Sequence, residues 1–574
     1  MRKFYVLLVA TLFTTTSFAQ APTTGLAAQI PLKGQLAQLP SNARKTAFQL
    51  PDAANQTAAA RVKKANGDLP LITEQPEGTL HANYYGSQTS LVQFWGMVYQ
   101  DLMDGEAKNF VVSDDGSVYL QSALSAYAST AWIKGTRAEG DTIVFNFPQK
   151  YVGGTGVDED GNPTDEDESF YLWRMVLTDA GNSLKIDDNS QTLKYVLRGD
   201  SLFRVETFDK DGVALGLCMA DNQWMGYADL DCSWTKNNDA TVEIPDGAVP
   251  EKYQFDFYNS DGQPDARLVN VMVHKNEMFI NGLTDNIPEG WVRGQIEGDK
   301  VVFRGKTYMG IDTNLNYHAY FSPVEYQDVE DPETGETEQQ LAFADELALN
   351  YDPVAKTLES DGMVVVNAGK HQVATIAEFD GISMKPWTEV AGAPKDPEII
   401  DFMEYDDGYG FGAMQIYLER TSVDDILLTP EKLFFNLYFD GKPYTFTPEE
   451  YAGVEQSTTD MPVNFTNGDN LTSFGASRVL YFYESGFKTV AVQEVYKDGG
   501  KVYGSNYVNY TIDEDGNLVD GVKGASLVAD EADVKSVSYT DLSGRSVAQP
   551  TAGIYLKTVK YADGTQKTVK WVKK

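Results

Sequence analysis

Asp-Gly dipeptides recur more than ten times along this chain, among them Asp115-Gly116, Asp211-Gly212, Asp440-Gly441, Asp515-Gly516 and Asp563-Gly564. From about Pro76 onward they separate short runs of Val, Ile, Tyr, Phe and Thr. A two-residue type I′ turn needs positive φ at both central positions, which Gly adopts freely and Asp tolerates, while β-branched and aromatic residues suit a pleated surface. The pattern predicts an all-β fold built from successive antiparallel meanders.

Part of the meander is written twice. "VYLQSALSAYASTAWIKGTRAEGDTIVFNFPQKYVGG" (118–154) aligns with "MFINGLTDNIPEGWVRGQIEGDKVVFRGKTYMGI" (278–311), matching Tyr119 to Phe279, Trp132 to Trp291, Gly135 to Gly294, Phe145 to Phe303 and Tyr151 to Tyr308. A weaker match extends to "MVLTDAGNSLKIDD" (175–188) and "LALNYDPVAKTLESD" (347–361). Each copy spans about 150 residues, room for eight to ten strands in a sandwich or a closed barrel, and is too long for a propeller blade or solenoid rung. We therefore expect two tandem β-meander domains, 76–245 and 246–395. The 574 residues exceed what one core serves.

The segment 396–513 does not follow that template. Its end, "SRVLYFYESGFKTVAVQEVYKDGGKVYGSNYVNYTI", places Val479, Tyr481 and Tyr483 in one alternation and Val490, Val492 and Val495 before the Asp498-Gly499-Gly500 turn. These strands resemble the closing strands of a fibronectin type III or immunoglobulin-like sandwich, which implies a two-sheet third domain.

A small basic domain is expected at 530–574. "VKSVSYTDLSGRSV" is followed by "PTAGIYLKTVKYADGTQKTVK", which supply Asp541, Gly544 and Arg545, then Gly553 and Tyr555, then Gly564 with Lys567 and Lys570 on a last strand. This order of short elements resembles the type A C-terminal sorting domain of the type IX secretion system of Bacteroidetes. The resemblance implies recognition by that sorting machinery, passage across the outer membrane, and release or surface attachment. The chain departs from the pattern by continuing as Trp571-Val572-Lys573-Lys574.

The front end fits an exported protein. Arg2 and Lys3 precede an apolar run from Phe4 to Phe13 and a small-x-small site at Ser17-Phe18-Ala19, so residues 1–19 read as a cleaved signal peptide. Residues 20–75, rich in Ala, Gln, Pro and Thr, read as a flexible linker. No later apolar run approaches the length of a transmembrane helix. The net charge of −38 repels phosphate backbones and anionic lipid, so no nucleic acid is expected as a partner. The expected location is the outer-membrane surface or the medium, with the periplasm as runner-up.

Signals for chemistry are sparse. His81, His274, His318 and His371 stand in no metal-ligand or triad spacing, and no G-x-S-x-G elbow is present, so no catalytic residue is assigned. Trp132, Trp291, Tyr151 and Tyr308 could stack on sugar rings, although residues kept in both copies of a duplication also suit a shared core. The acidic loop "VDEDGNPTDEDES" offers Asp158, Asp160, Asp165 and Asp167 as a weak Ca²⁺ site without EF-hand spacing, or simply as a solvated loop. No other cofactor is expected. Cys218 and Cys232 are spaced for a disulfide or remain two buried thiols. The reading that follows is an exported, non-catalytic binding or structural protein for a surface glycan or protein ligand. A secreted glycoside hydrolase using unidentified carboxylates is the alternative.

Overall fold

The computed structural model describes residues 69–94, 97–157, 163–178, 183–260, 262–330, 337–406, 408–474, 476–513, 516, 518–524, 534–541, 546–547, 553–561 and 566–573. The signal peptide and most of the linker lie outside these residues. The chain divides into two compact units, one ending at Pro386 and the other beginning at Trp387, with Pro264–Arg267 grouped with the second.

The first unit contains both copies. In copy one, eight strands pair in chain order: β1 (Thr79–Phe94), β2 (Met97–Val112), β3 (Ser117–Gln121), β4 (Trp132–Arg137), β5 (Thr142–Asn146), β6 (Thr192–Arg198), β7 (Ser201–Arg204) and β8 (Ser233–Lys236). Each is antiparallel to the next, and β8 returns to β1 through Tyr85↔Thr235 and Gly86↔Trp234. The result is a closed eight-stranded barrel, which decides between the two architectures expected for a meander of this length. Alternation places Val118, Leu120, Ile133, Phe145, Leu193 and Trp234 in its buried core, because successive side chains of a strand face opposite sides of the sheet. Between β5 and β6 and between β7 and β8 the chain leaves the barrel. The strands Gln149–Val152, Phe170–Leu177, Val213–Met219 and Trp224–Asp229 form a side sheet that rejoins β1 at Ser90↔Asp229.

Copy two repeats this route with β9 (Glu251–Tyr258), β10 (Pro264–His274), β11 (Glu277–Asn281), β12 (Trp291–Glu297), β13 (Lys300–Arg304), β14 (Glu346–Asp352), β15 (Thr357–Ser360) and β16 (Thr375–Pro386). Antiparallel pairing runs from β10 to β16, and β16 pairs with β9. Its side strands, Thr307–Asp312 and Tyr317–Glu330 after β13 and Met363–Ala368 after β15, pair in that order and lead back to β16.

The registers of the two copies coincide. Trp132 lies opposite Gln121 as Trp291 lies opposite Asn281, and Gly135 opposite Val118 as Gly294 opposite Met278. The reason for the paired glycines is steric. A Cβ at Gly135 would stand 2.7 Å from the Phe145 ring, and one at Gly294 2.6 Å from Val301 and 2.8 Å from Phe303, so each phenylalanine packs over bare backbone. The weaker part of the sequence match is out of place. Residues 347–361 form β14 and β15, where β14 pairs with β13 and β15 with β14 as β6 pairs with β5 and β7 with β6, whereas 175–188 belongs to a side-sheet hairpin. A likeness of alternating strands with a short turn does not fix which strands they are.

In the second unit two sheets enclose one core. Glu398–Asp406, Phe411–Tyr417, Ser477–Phe482 and Leu471–Phe474 form one sheet. Leu433–Phe439, Thr489–Asp498, Tyr507–Ile512 and Leu518–Gly524 are the main strands of the other. Met414, Ile416, Leu480 and Phe482 from the first share a core with Phe435, Leu437, Val490 and Val492 from the second. The inward positions of Ser477–Phe482 are therefore Leu480 and Phe482, not the alternation of Val479, Tyr481 and Tyr483, and Tyr483 is 36% exposed. Asp440-Gly441 adopts φ of 49° and 74°, the positive pair that a type I′ hairpin requires, and joins Phe439 to its partner Lys442.

The tail forms a four-stranded antiparallel sheet in the order Ser546–Val547, Val534–Asp541, Gly553–Tyr561, Gln566–Lys573. Asp541 pairs with Tyr555, Gly553 with Lys573, Lys567 with Val559 and Lys570 with Leu556. Gly544, Arg545 and Gly564 lie outside the described residues.

Cys218 and Cys232 are free, which corrects the candidate disulfide. Cys218 belongs to the side-sheet core and Cys232 to the barrel core, so the fold commits the two thiols to different apolar clusters. Burial raises both, Cys232 to about 12, which leaves them as protonated, unreactive packing groups. No helix among the described residues is long and apolar enough to cross a membrane.

Candidate functional site

The densest polar cluster of the first unit lies where copy one meets copy two. Strand β2 touches the second copy through Glu106↔Tyr317, with Ala107 N donating to Asn316 O at 2.8 Å and Asn316 Nδ2 donating to Ala107 O at 2.9 Å. Beside this contact, Gly105 at φ +90° and Gly369 at φ +73° bring the two backbones together, and a Cβ on Gly105 would overlap Gly369. Only glycine permits both that approach and those dihedrals.

The loop 369–372 follows Met363–Ala368 and is built from beneath by Asn367, which is fully buried. Asn367 Nδ2 donates to the carbonyls of Ala368 and Gly369 at 3.0 Å and of Gln372 at 2.9 Å, while its Oδ1 accepts from Ala374 N at 2.6 Å. From the other copy Asp104, whose side chain is wholly buried, takes four donors. They are Tyr85 Oη at 2.7 Å, Lys370 N at 2.9 Å, His371 N at 2.8 Å and His371 Nδ1 at 2.7 Å. The other three partners are donors to a carboxylate, so the imidazole donates from Nδ1 as well. Nε2 takes no part in this network, and the side chain is 56% exposed. An edge contact with the Tyr85 ring, centroids 5.6 Å apart, completes the orientation of His371.

Around this core the remaining groups are paired. Lys370 Nζ binds Asp239 Oδ2 at 2.6 Å and lies 5.0 Å from the Tyr85 ring centroid. Tyr320 Oη donates to the same oxygen at 2.7 Å. Burial works against the charge on Asp239, yet the hydrogen bonds from Lys370 and Tyr320 hold its carboxyl below the usual range. His318 is almost fully buried, and burial pushes its ring down, so it is neutral. Tyr308 Oη at 2.8 Å and the Asn237 amide at 3.0 Å meet its Nδ1. Burial raises the phenols of Tyr85, Tyr308 and Tyr320, which keeps all three as hydroxyl donors. Lys306 Nζ donates to the Lys370 carbonyl at 2.6 Å and sits 3.5 Å from the Phe343 ring centroid. Burial lowers its pKa, against the attraction of Asp104.

Of the aromatic residues singled out from the sequence, one joins this cluster. Tyr308 contacts His318. Trp132 is 3% exposed and Tyr151 is fully buried with its hydroxyl bonded to the Leu124 and Tyr127 carbonyls, so both are core residues rather than a sugar platform. Trp291 is partly exposed on β12. Asp165 and Asp167 lie on the strand Pro163–Asp167, and Asp158 and Asp160 fall outside the described residues. Among the described residues no group of His, Cys, Asp or Glu is arranged to hold a metal ion.

His371 and Asp104 escape sequence reading because they are 267 positions apart. The one local trace is "NAGKHQ", a glycine and two basic residues directly after an apolar strand. Comparison with known protein families and with curated proteins finds no family model and no curated protein that matches this chain.

Proposed function

We propose that the chain is an exported, non-catalytic recognition protein of the cell exterior, whose paired barrels present a ligand-binding surface at the junction of the two copies. The observation that carries this reading is His371. A ring more than half exposed is fixed in orientation by a buried carboxylate contributed from the other barrel. Such ordering of an exposed polar side chain opposes its conformational entropy and is characteristic of a group presented to a partner. Densely filled barrel cores fit a scaffold that binds on its outside. The leader at 1–19 and the sorting-like tail at 530–574 support export by the type IX route, with surface attachment or release, in a Bacteroidetes envelope.

The test is binding of the mature full chain, from Gln20, to an array of glycans and to envelope protein extracts. Saturable binding that is lost in His371→Ala is the expected result, and binding indifferent to that change overturns the reading. One observation favours a second reading. A histidine whose Nδ1 proton is held by a carboxylate is also the geometry of a general base, so hydrolysis of a bound glycan by the wild type and not by His371→Ala would move the protein to the hydrolases.

A further inference from the structure

The groups at the junction differ in how far their bonding capacity is used. Lys370, Asp239, Tyr320, Tyr308 and His318 are engaged with one another. Two groups keep capacity toward solvent. His371 offers Nε2, because Nδ1 is committed to Asp104. Lys306 offers the remaining N–H bonds of an ammonium whose described polar contact is the Lys370 carbonyl, the residue directly before His371. A cationic donor, held on the Lys370 carbonyl, and an imidazole nitrogen on the next residue along that loop therefore belong to one exposed edge of the junction.

We propose that Lys306 and His371 form a binding site for an acidic sugar, the uronate units of a polysaccharide, with the ammonium taking the carboxylate and Nε2 hydrogen-bonding a ring hydroxyl. The inference rests on the reading of this junction as a recognition surface and names its ligand. Complementarity selects the class. A sugar hydroxyl both donates and accepts, so it suits Nε2 as either partner, whereas fully ionised phosphate or sulfate offers only acceptors; a neutral sugar satisfies Nε2 but forfeits the charge-assisted bond to Lys306. A hydroxycarboxylate satisfies both. Exposure of the site favours a repeating chain laid across the surface over a single small acid, which would leave most of its own surface in water.

The experiment titrates the mature full chain by calorimetry with oligogalacturonate, with monomeric galacturonate, with a neutral galacto-oligosaccharide of equal length and with inorganic phosphate. Expected is binding of oligogalacturonate at least about tenfold tighter than of the other three, the difference of one charge-assisted hydrogen bond. His371→Ala and Lys306→Met should each weaken it about tenfold with unchanged melting temperature, and Lys306→Arg should largely preserve it. Tight binding of phosphate or monomer alone would overturn the assignment to a polymer. Equal binding of the neutral and acidic oligomers, or acidic binding untouched by both variants, would overturn the site while leaving recognition elsewhere on the chain intact. Failure to bind any glycan or envelope protein would overturn the recognition reading itself.

Discussion

Asp104 Oδ1 lies 2.7 Å from His371 Nδ1, a contact that joins the second strand of one barrel to a loop of the other across 267 residues of sequence. The same carboxylate accepts two backbone N–H groups of that loop and the Tyr85 hydroxyl, so it acts as a bolt between the two copies as well as an orienting group for the imidazole.

Replacing Asp104 by Ala should destabilise the first unit by about 3 kcal/mol or more, since four donors lose their acceptor at a buried position. Tyr85→Phe, which removes one donor and leaves the carboxylate otherwise served, should lose about 1 kcal/mol. Urea denaturation of the mature chain distinguishes the two. Equal effects would contradict the central place of the carboxylate.

The two barrels should respond alike at equivalent glycines. Gly135→Ala and Gly294→Ala each force a methyl against the ring of Phe145 or Phe303 and are expected to cost about 1–3 kcal/mol. Partial relief by Phe145→Leu in the first and Phe303→Leu in the second, measured as recovery of the melting temperature, would identify overpacking as the cause.

A pH dependence is expected where the side sheet rejoins β1. Burial pushes the Asp229 carboxyl up to about 6, although Ser90 Oγ at 2.6 Å, Ser125 N at 2.8 Å, Ala126 N at 3.0 Å and the Lys108 charge all favour ionisation. The folded state therefore holds this proton more tightly than the unfolded chain, whose carboxyl has the ordinary value of 3.8. The stability it contributes is complete below about pH 4 and is lost as pH rises through about 6, ~3 kcal/mol in all. Between pH 4 and pH 7 the stability of the wild type minus that of Asp229→Asn should fall by roughly that amount. A difference independent of pH would refute the assignment.

Both thiols should resist a thiol reagent in the native chain and react only on unfolding, because neither is accessible or ionised near neutral pH. Reductant should leave the melting temperature unchanged. Rapid native labelling at Cys232 would show that the barrel opens more readily than its buried core implies.

What the sequence determined by itself is local. Asp440-Gly441 turns where it does because its own φ angles suit a type I′ hairpin, and Val118, Leu120, Ile133 and Phe145 alternate because the period of a strand is two. Gly135 and Gly294 mark equivalent places because each copy contains the phenylalanine that needs the space. These features depend on residues close in the chain, so the all-β class and the core of the duplication are legible without coordinates.

Tertiary structure decided the rest. Whether eight strands close on themselves depends on β8 meeting β1, about 150 residues away, and no dipeptide encodes that return. The same applies to Trp132 and Tyr151, whose aromatic character suits a sugar platform or a core equally until packing assigns them to the core. Cys218 and Cys232 sit close in sequence yet face different clusters, because Cys218 lies on a side-sheet strand and Cys232 directly before the barrel strand β8. Asp104 is one acidic residue among 84 in the chain, and His371 belongs to no recognisable motif. Their partnership exists only once two barrels have folded and two glycines allow their backbones to touch. Long-range contacts of this kind follow from the closure of large loops and the shapes that closure brings together, which short-range sterics and periodicity leave open.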